Sequence, residues 1–251
     1  MSDLAAAVRF LTRLPIRVSD GGLPGRALVW FPVVGAGVGL SIAGVYAVAL
    51  EAASPLLAAT VAVLAGVVIT GALHEDGLAD TLDAFGGSHD RQRTLEILSD
   101  SRIGVFGTIG LILSVVVRVG ALAGLGGWEG VVALTAAHTL SRSAAVLLLA
   151  VTPPARTTGL GATLRPSVGS GWVVYMVGVV IAGALLLGWV LPAAVVGVAA
   201  VWGVRRWTVG KIGGATGDVA GTVEQFVEVL ILVGVAMVVS TIAGGVVWWI
   251  Q

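Results

Sequence analysis

Long apolar runs separated by short polar or glycine-rich intervals set the pattern of the chain. Seven of them are candidate spans, most of them near or above the roughly 20 residues a helix needs to cross a bilayer: Ala27 to Leu50, Leu56 to Leu73, Val105 to Leu125, Val131 to Val151, Trp172 to Leu187, Ala193 to Val204 and Glu224 to Trp249. The fifth and sixth are short and joined by a tight Gly188 to Pro192 turn, so they are expected to tilt, to thin the bilayer or to re-enter it. Ahead of them, Leu4, Ala7, Phe10, Leu11 and Leu14 share one helical side and Arg9 and Arg13 the other, which predicts a helix over residues 3–14 lying in the membrane interface until Pro15 ends it. The pattern therefore predicts an all-α polytopic membrane bundle of about seven transmembrane spans plus an N-terminal interfacial amphipathic helix. It reads as a single domain over residues 1–251, with 1–25 as interfacial helix and lead-in and 26–250 as the bundle. Gly35, Gly39 and Ala43 recur every four residues in the first run, a packing face suited either to the bundle interior or to a homo-oligomer seam.

Composition supports the membrane reading: 57% of residues are hydrophobic, 11% are charged and mean hydropathy is +1.02, too apolar for an ordinary water-soluble domain. Membrane lipid is the expected surrounding. A formal net charge of zero argues against a nucleic-acid partner. The absence of cysteine excludes disulfides, thiolate metal sites and cysteine nucleophiles. Asp3, Arg9 and Arg13 precede any long apolar run, which does not resemble a cleavable signal peptide. On the seven-span layout, the N-terminal segment and the intervals around residues 74–104, 152–170 and 205–223 share one side, and that side holds every loop arginine and Lys211. The positive-inside rule places that side in the cytoplasm, with the N-terminus inside and the C-terminus outside.

One interval differs in kind. His74-Glu75-Asp76-Gly77-Leu78-Ala79-Asp80-Thr81-Leu82-Asp83 follows directly on the second run. As a helix it puts Asp76, Asp80 and Asp83 at i, i+4 and i+7, on one face. Three carboxylates on one stripe repel unless water, arginines or a divalent cation lies between them, and hard oxygen ligands favour magnesium, manganese or calcium over zinc. A solvated helix end is the alternative; the membrane junction and the flanking arginines favour a metal or phosphate-handling site. Glu75 points about 100° from the stripe, toward a second metal position or toward solvent. His74 suits either a proton acceptor or a satisfied polar position at a helix end.

A second constellation is Lys211-Ile-Gly-Gly-Ala-Thr-Gly-Asp218 with Gly221, Glu224 and Glu228. Gly213 and Gly214 let backbone N–H groups converge on an anion, and a following helix N-terminus adds its positive end. It is not a Walker A loop, because Lys211 precedes the glycines. A turn with Asp218 as helix N-cap and Glu224 as dipole partner reads equally well. Asp100 and Arg102, ahead of the third run, need no role beyond an N-cap and a headgroup-level cation. Arg118, His138 and Arg142 fall inside runs, where charge is costly. They predict either a network tying helices together or the cationic wall of a diphosphate pocket.

Phe10-Leu-Thr-Arg-Leu-Pro15, the 74–83 stretch, Asp100-Ser-Arg-Ile-Gly104 with Phe106-Gly107, Ser141-Arg142, and Gly213-Gly-Ala-Thr-Gly-Asp218 with Gly221 and Glu224 occur in an order that resembles the cobalamin 5′-phosphate synthase family across nearly the whole chain. The resemblance implies a membrane transferase of late vitamin B12 (cobalamin) biosynthesis. Such an enzyme joins adenosylcobinamide-GDP to α-ribazole or α-ribazole 5′-phosphate, releases GMP and uses Mg2+. Read onto these residues, it implies that Asp76, Asp80 and Asp83, with Glu75 and Asp218, hold magnesium across the diphosphate. Arg102, Arg142 and Lys211 would grip phosphate oxygens, with Asp100, Gly213, Gly214 and Thr216 completing the substrate site, and Asp83 or His74 would take the proton of the attacking hydroxyl. Two rivals are weighed. A CDP-alcohol phosphotransferase also has an Asp-Gly acidic motif at a membrane edge, but Asp80-Thr81 occupy its Ala-Arg positions and Asp90 stands where it wants glycine. An ion-coupled transporter would also bury Arg118, His138 and Arg142, yet its acids belong near the bilayer midplane.

Overall fold

The computed structural model describes residues 2–16, 23–159, 163–164, 166–186 and 190–243. In chain order its helices are α1 (Asp3–Leu11), α2 (Phe31–Ala52), α3 (Pro55–Thr70), α4 (Leu73–Gly87), α5 (Arg91–Ile97), α6 (Val105–Ala123), α7 (Gly127–Val151), α8 (Val168–Leu186), α9 (Val190–Ile212) and α10 (Gly217–Ala243), with a 3₁₀ turn at Gly25–Trp30 before α2. Among the described residues the only β pairing is an isolated bridge between Pro154 and Ala215.

Among the described residues every expected run is helical, and four or five of the helices have the length and hydropathy of a crossing. Four helices are long and apolar enough to cross alone: Gly25–Ala52, Val105–Ala123, Gly127–Val151 and Gly217–Thr241. A fifth crossing belongs to α3, which reaches the needed length only with its continuation into α4, bent from it by 90°. We read α3 as the span and α4 as the segment that turns off it at the membrane edge. Val168–Gly183 in α8 is a shorter apolar helix, and α9 carries Arg205, Arg206 and Lys211 in its last turns.

The bundle is built around α7, which is buried on nearly all sides from Val132 to Ala150. The Gly35/Gly39 face of α2 lies against it: a Cβ at Gly39 would stand 2.7 Å from the Leu134 carbonyl oxygen, and one at Gly35 would stand 3.0 Å from Arg142 Cδ. This assigns the glycine face to internal packing. Tyr46 on α2 closes the end of α6 by donating its hydroxyl to the carbonyls of Leu122 and Leu125 at 2.8 and 2.9 Å.

Three boundaries depart from the sequence reading. The first helix ends at Leu11, because the Arg13 N–H leaves the helix to donate to the Ile69 carbonyl at 2.8 Å. Residues 205–212 continue α9 instead of forming a loop; Val204, Thr208 and Ile212 are buried at helical spacing. The last helix begins at Gly217. Arg165, Gly188 and Trp189 of the expected turn, and Trp248 and Trp249 at the end of the last run lie outside the described residues.

Candidate functional site

The 90° bend is made by two consecutive left-handed residues, Gly71 (φ 67°) and Ala72 (φ 58°). Alanine pays about 1–2 kcal/mol for that conformation, and Arg13 braces it, its guanidinium donating to the Gly71 carbonyl at 3.4 Å. Beyond the bend, α4 buries Leu78, Ala79, Thr81 and Phe85 and turns the Asp76, Asp80 and Asp83 stripe outward, with Asp76 exposed. Glycines let the start of α10 touch this helix: a Cβ at Gly77 would lie 2.8 Å from the Asp218 carbonyl oxygen, and Thr222 Oγ1 donates to the Gly77 carbonyl at 3.2 Å. Asp218 is thereby set beside the stripe. Burial, and after it the charges of Asp76, Asp218 and Asp83, push the Asp80 carboxyl up to about 7.

Asp83 is shared with α6. Its two oxygens accept from the Gly104 and Gly107 N–H groups at 2.7 and 2.9 Å, so it caps α6 from another helix. The cap expected from Asp100 is therefore supplied by Asp83. Asp100 instead pairs with Arg102 at 2.5 Å on the surface, and that guanidinium holds its carboxyl down to about 2.

Several expected site residues have other partners. Lys211 Nζ donates to the Phe85 and Ser88 carbonyls, both at 2.9 Å, and closes the end of α4. Gly213 (φ 78°) ends α9, where a left-handed residue is needed. Gly214 gives room for the Pro153–Ala155 backbone, which exchanges hydrogen bonds with Ala215 at 2.8 and 3.0 Å. The loop is thus closed on protein instead of open as an anion cradle. Thr216, in place of Asp218, caps α10 by accepting from the Val219 N–H at 3.4 Å. Arg156, absent from the expected site, lies close enough to Asp218 to act on it electrostatically. It is anchored by donating to Ser99 Oγ at 2.8 Å and to the Leu95 carbonyl.

Glu75, His74 and Arg142 are not at the rim. They belong to a buried network across α4, α6, α7 and α10. Arg118 Nη1 donates to Glu75 at 3.0 Å and to Glu228 at 3.1 Å. Gln225 Nε2 donates to Glu224 at 3.1 Å and accepts at its own oxygen from Ser114 at 3.1 Å. His74 Nδ1 faces Glu224 at 3.4 Å. Donor atoms of His138, Glu224 and Glu228 cluster within 4.8 Å, as a metal ion would require. Arg142 Nη1, however, bonds Glu224 and stands 2.6 Å from His138 Nδ1 and 3.4 Å from Glu228. A guanidinium fills the position, and Glu75 and Arg142, expected as metal ligand and phosphate contact, stand in the structure as members of a network that ties helices together. Isolated charges at this depth are costly, and mutual pairing makes them tolerable.

The chain matches the cobalamin-5-phosphate synthase family over residues 3–236. It is 41% identical to an adenosylcobinamide-GDP ribazoletransferase of Azorhizobium caulinodans, covering 94% of this chain and 95% of that protein. It is 42% identical to one of Sinorhizobium medicae (94% and 97% covered) and 37% identical to one of Pseudomonas aeruginosa (94% and 98% covered). No solved structure matches it. With the acid-bearing helix, the Asp83 cap and the Gly213–Asp218 turn all lying inside the matched region, the chain belongs to the cobalamin-5-phosphate synthase family.

Proposed function

We propose that the chain joins adenosylcobinamide-GDP to α-ribazole or α-ribazole 5′-phosphate and releases GMP, at the cytoplasmic side of a bacterial or archaeal inner membrane. The observation that carries this reading is the convergence of Asp76 and Asp80 on α4 with Asp218 on α10, at one end of a membrane bundle of this family. This all-oxygen donor set fits a hard divalent cation, which would offset the burial and the carboxylate repulsion that together raise Asp80. Mg2+ bound there supplies countercharge to the diphosphate and the leaving group.

The residues of the chain take the remaining roles. Asp76, Asp80 and Asp218 hold the ion, and Arg102 and Arg156 hold phosphate oxygens. The acceptor hydroxyl attacks the phosphorus bearing the cobinamide arm. A new O–P bond forms as the P–O bond to GMP breaks, and the electron pair leaves on the GMP phosphate. Asp83 takes the hydroxyl proton: it stands at the rim, where His74 does not, and each of its oxygens keeps an acceptor position beyond its one amide bond. The family match gives the lipid-headgroup and transporter readings no support.

Detergent-purified protein is expected to release GMP from adenosylcobinamide-GDP only when acceptor and Mg2+ are both present. Asp76→Asn should lower turnover by about 100-fold or more. A folded Asp76→Asn protein with wild-type turnover would remove the metal assignment, and a folded wild type that releases no GMP would remove the reaction.

A further inference from the structure

The acid helix is fastened to α6 at two points, one on each side of Asp76 and Asp80. At the water-facing point, Asp83 accepts the Gly104 and Gly107 amides. At the buried point, Arg118 holds Glu75, the residue before Asp76, at 3.0 Å. The two points are eight positions apart on α4, about 12 Å along a helix. The same Arg118 nitrogen also holds Glu228 of α10 at 3.1 Å, and α10 supplies Asp218. One guanidinium therefore sets two of the elements that form the rim in relation to each other. Its position is not saturated. Arg118 Nε and Nη2 and Glu75 Oε2 are buried without a partner in the protein. A cavity of about 10 Å³ adjoins them, lined among others by Thr70, His74 and Glu228, room for about one water molecule.

We propose that Arg118 is a positioning residue for the metal-binding rim: acting through Glu75 and Glu228, it fixes the separation of the α4 carboxylates from Asp218. This rests on the reading of the rim as a divalent-cation site. Without the buried fastening, Asp83 and close side packing still join α4 to α6, and Gly77 still meets α10, but the ion pair that orients the first turn of α4 is lost, and Asp76, the residue after Glu75, is the rim carboxylate most exposed to that loss. The rim then keeps all its ligands but loses their spacing, so metal affinity falls while the fold and the saturated rate persist. An ordinary stabilising ion pair behaves differently: its loss lowers the yield and thermal stability of the protein, and the molecules that stay folded bind metal normally.

The test is a Mn2+ titration, read by electron paramagnetic resonance, of detergent-purified wild type, Arg118→Met, Arg118→Lys and Glu75→Gln, with the Mg2+ dependence of GMP release measured alongside. Arg118→Met is expected to weaken Mn2+ binding and to raise the half-saturating Mg2+ concentration by about 10-fold or more, with the rate at saturating Mg2+ within about threefold of wild type. Arg118→Lys keeps a buried cation and should recover most of the affinity. Glu75→Gln keeps the contact but not its charge and should fall between. If Arg118→Met does not fold, Glu75→Gln and Arg118→Lys decide. Wild-type Mn2+ affinity in the folded variants overturns the positioning role while leaving the metal site intact. Absence of Mn2+ binding and GMP release in the wild type itself overturns the site and the inference together.

Discussion

Burial and three neighbouring carboxylates lift the Asp80 carboxyl from 3.8 to about 7. Between those values the folded chain keeps a proton that the unfolded chain has released, so the acid rim erodes stability as pH rises toward about 7. A cation bound at the proposed site would compete with that proton. Mn2+ affinity is expected to strengthen with rising pH, by up to about tenfold per pH unit, and to level off above about 7. Titrations at several pH values check this, and Asp80→Asn should flatten the profile. The Asp76/Asp80/Asp83 stripe was legible because helical periodicity alone puts it on one face. The fate of Glu75 was not, because Arg118 lies 43 residues away in sequence and only tertiary packing brings the two together. Arg142 was misplaced for the same reason: its carboxylate partners stand on α10, and a buried arginine looks alike in sequence whether it awaits a phosphate or already has a glutamate.

Helix ends on the cation-bearing face are closed by side chains from other elements. Arg13 reaches the end of α3 at Gly71, Lys211 the end of α4, Arg205 the Val151 carbonyl of α7 at 2.9 Å, and Arg91 the Ile212 carbonyl of α9 at 3.0 Å. Each sets a positive charge against the negative end of a helix. In sequence these cations serve as topology signals and Lys211 as a phosphate grip; in the structure all four are helix caps as well. The reverse device holds the start of α6, where Asp83 meets free amides. A Cβ at Gly104 would stand 2.5 Å from Asp83 Oδ1. Gly104→Ala is therefore expected to displace the cap and lower thermal stability in detergent by about 1 kcal/mol, with Asp83→Ala losing a similar amount; an unchanged unfolding temperature in both would refute the cap. Apolar runs gave the helices correctly. Their ends were harder to read, as in α9, where Gly210 and two arginines look like loop residues although Val204, Thr208 and Ile212 form a buried stripe.

For the whole molecule, the absence of cysteine makes topology directly measurable. Single cysteines at the exposed positions Gln92, near the acid rim, and Trp128, at the start of α7, should react with an impermeant maleimide from opposite sides of the membrane. Gln92→Cys is expected to label in inside-out vesicles and Trp128→Cys in intact cells; the reverse pattern would turn the rim outward. The bundle itself was legible because hydrophobicity decides it, whereas the crossing count turned on the two runs in α8 and α9, which among the described residues do not meet the length and hydropathy of a span. At the rim, Asp76, Asp80 and Asp218 stand together as three carboxylates, and Arg156 acts on Asp218. Toward a bare diphosphate this surface is a barrier. The proposed reaction therefore has a compulsory order of entry: the nucleotide arrives with its cation or after it, and a cell short of the ion leaves the nucleotide free in solution instead of trapped on an idle enzyme.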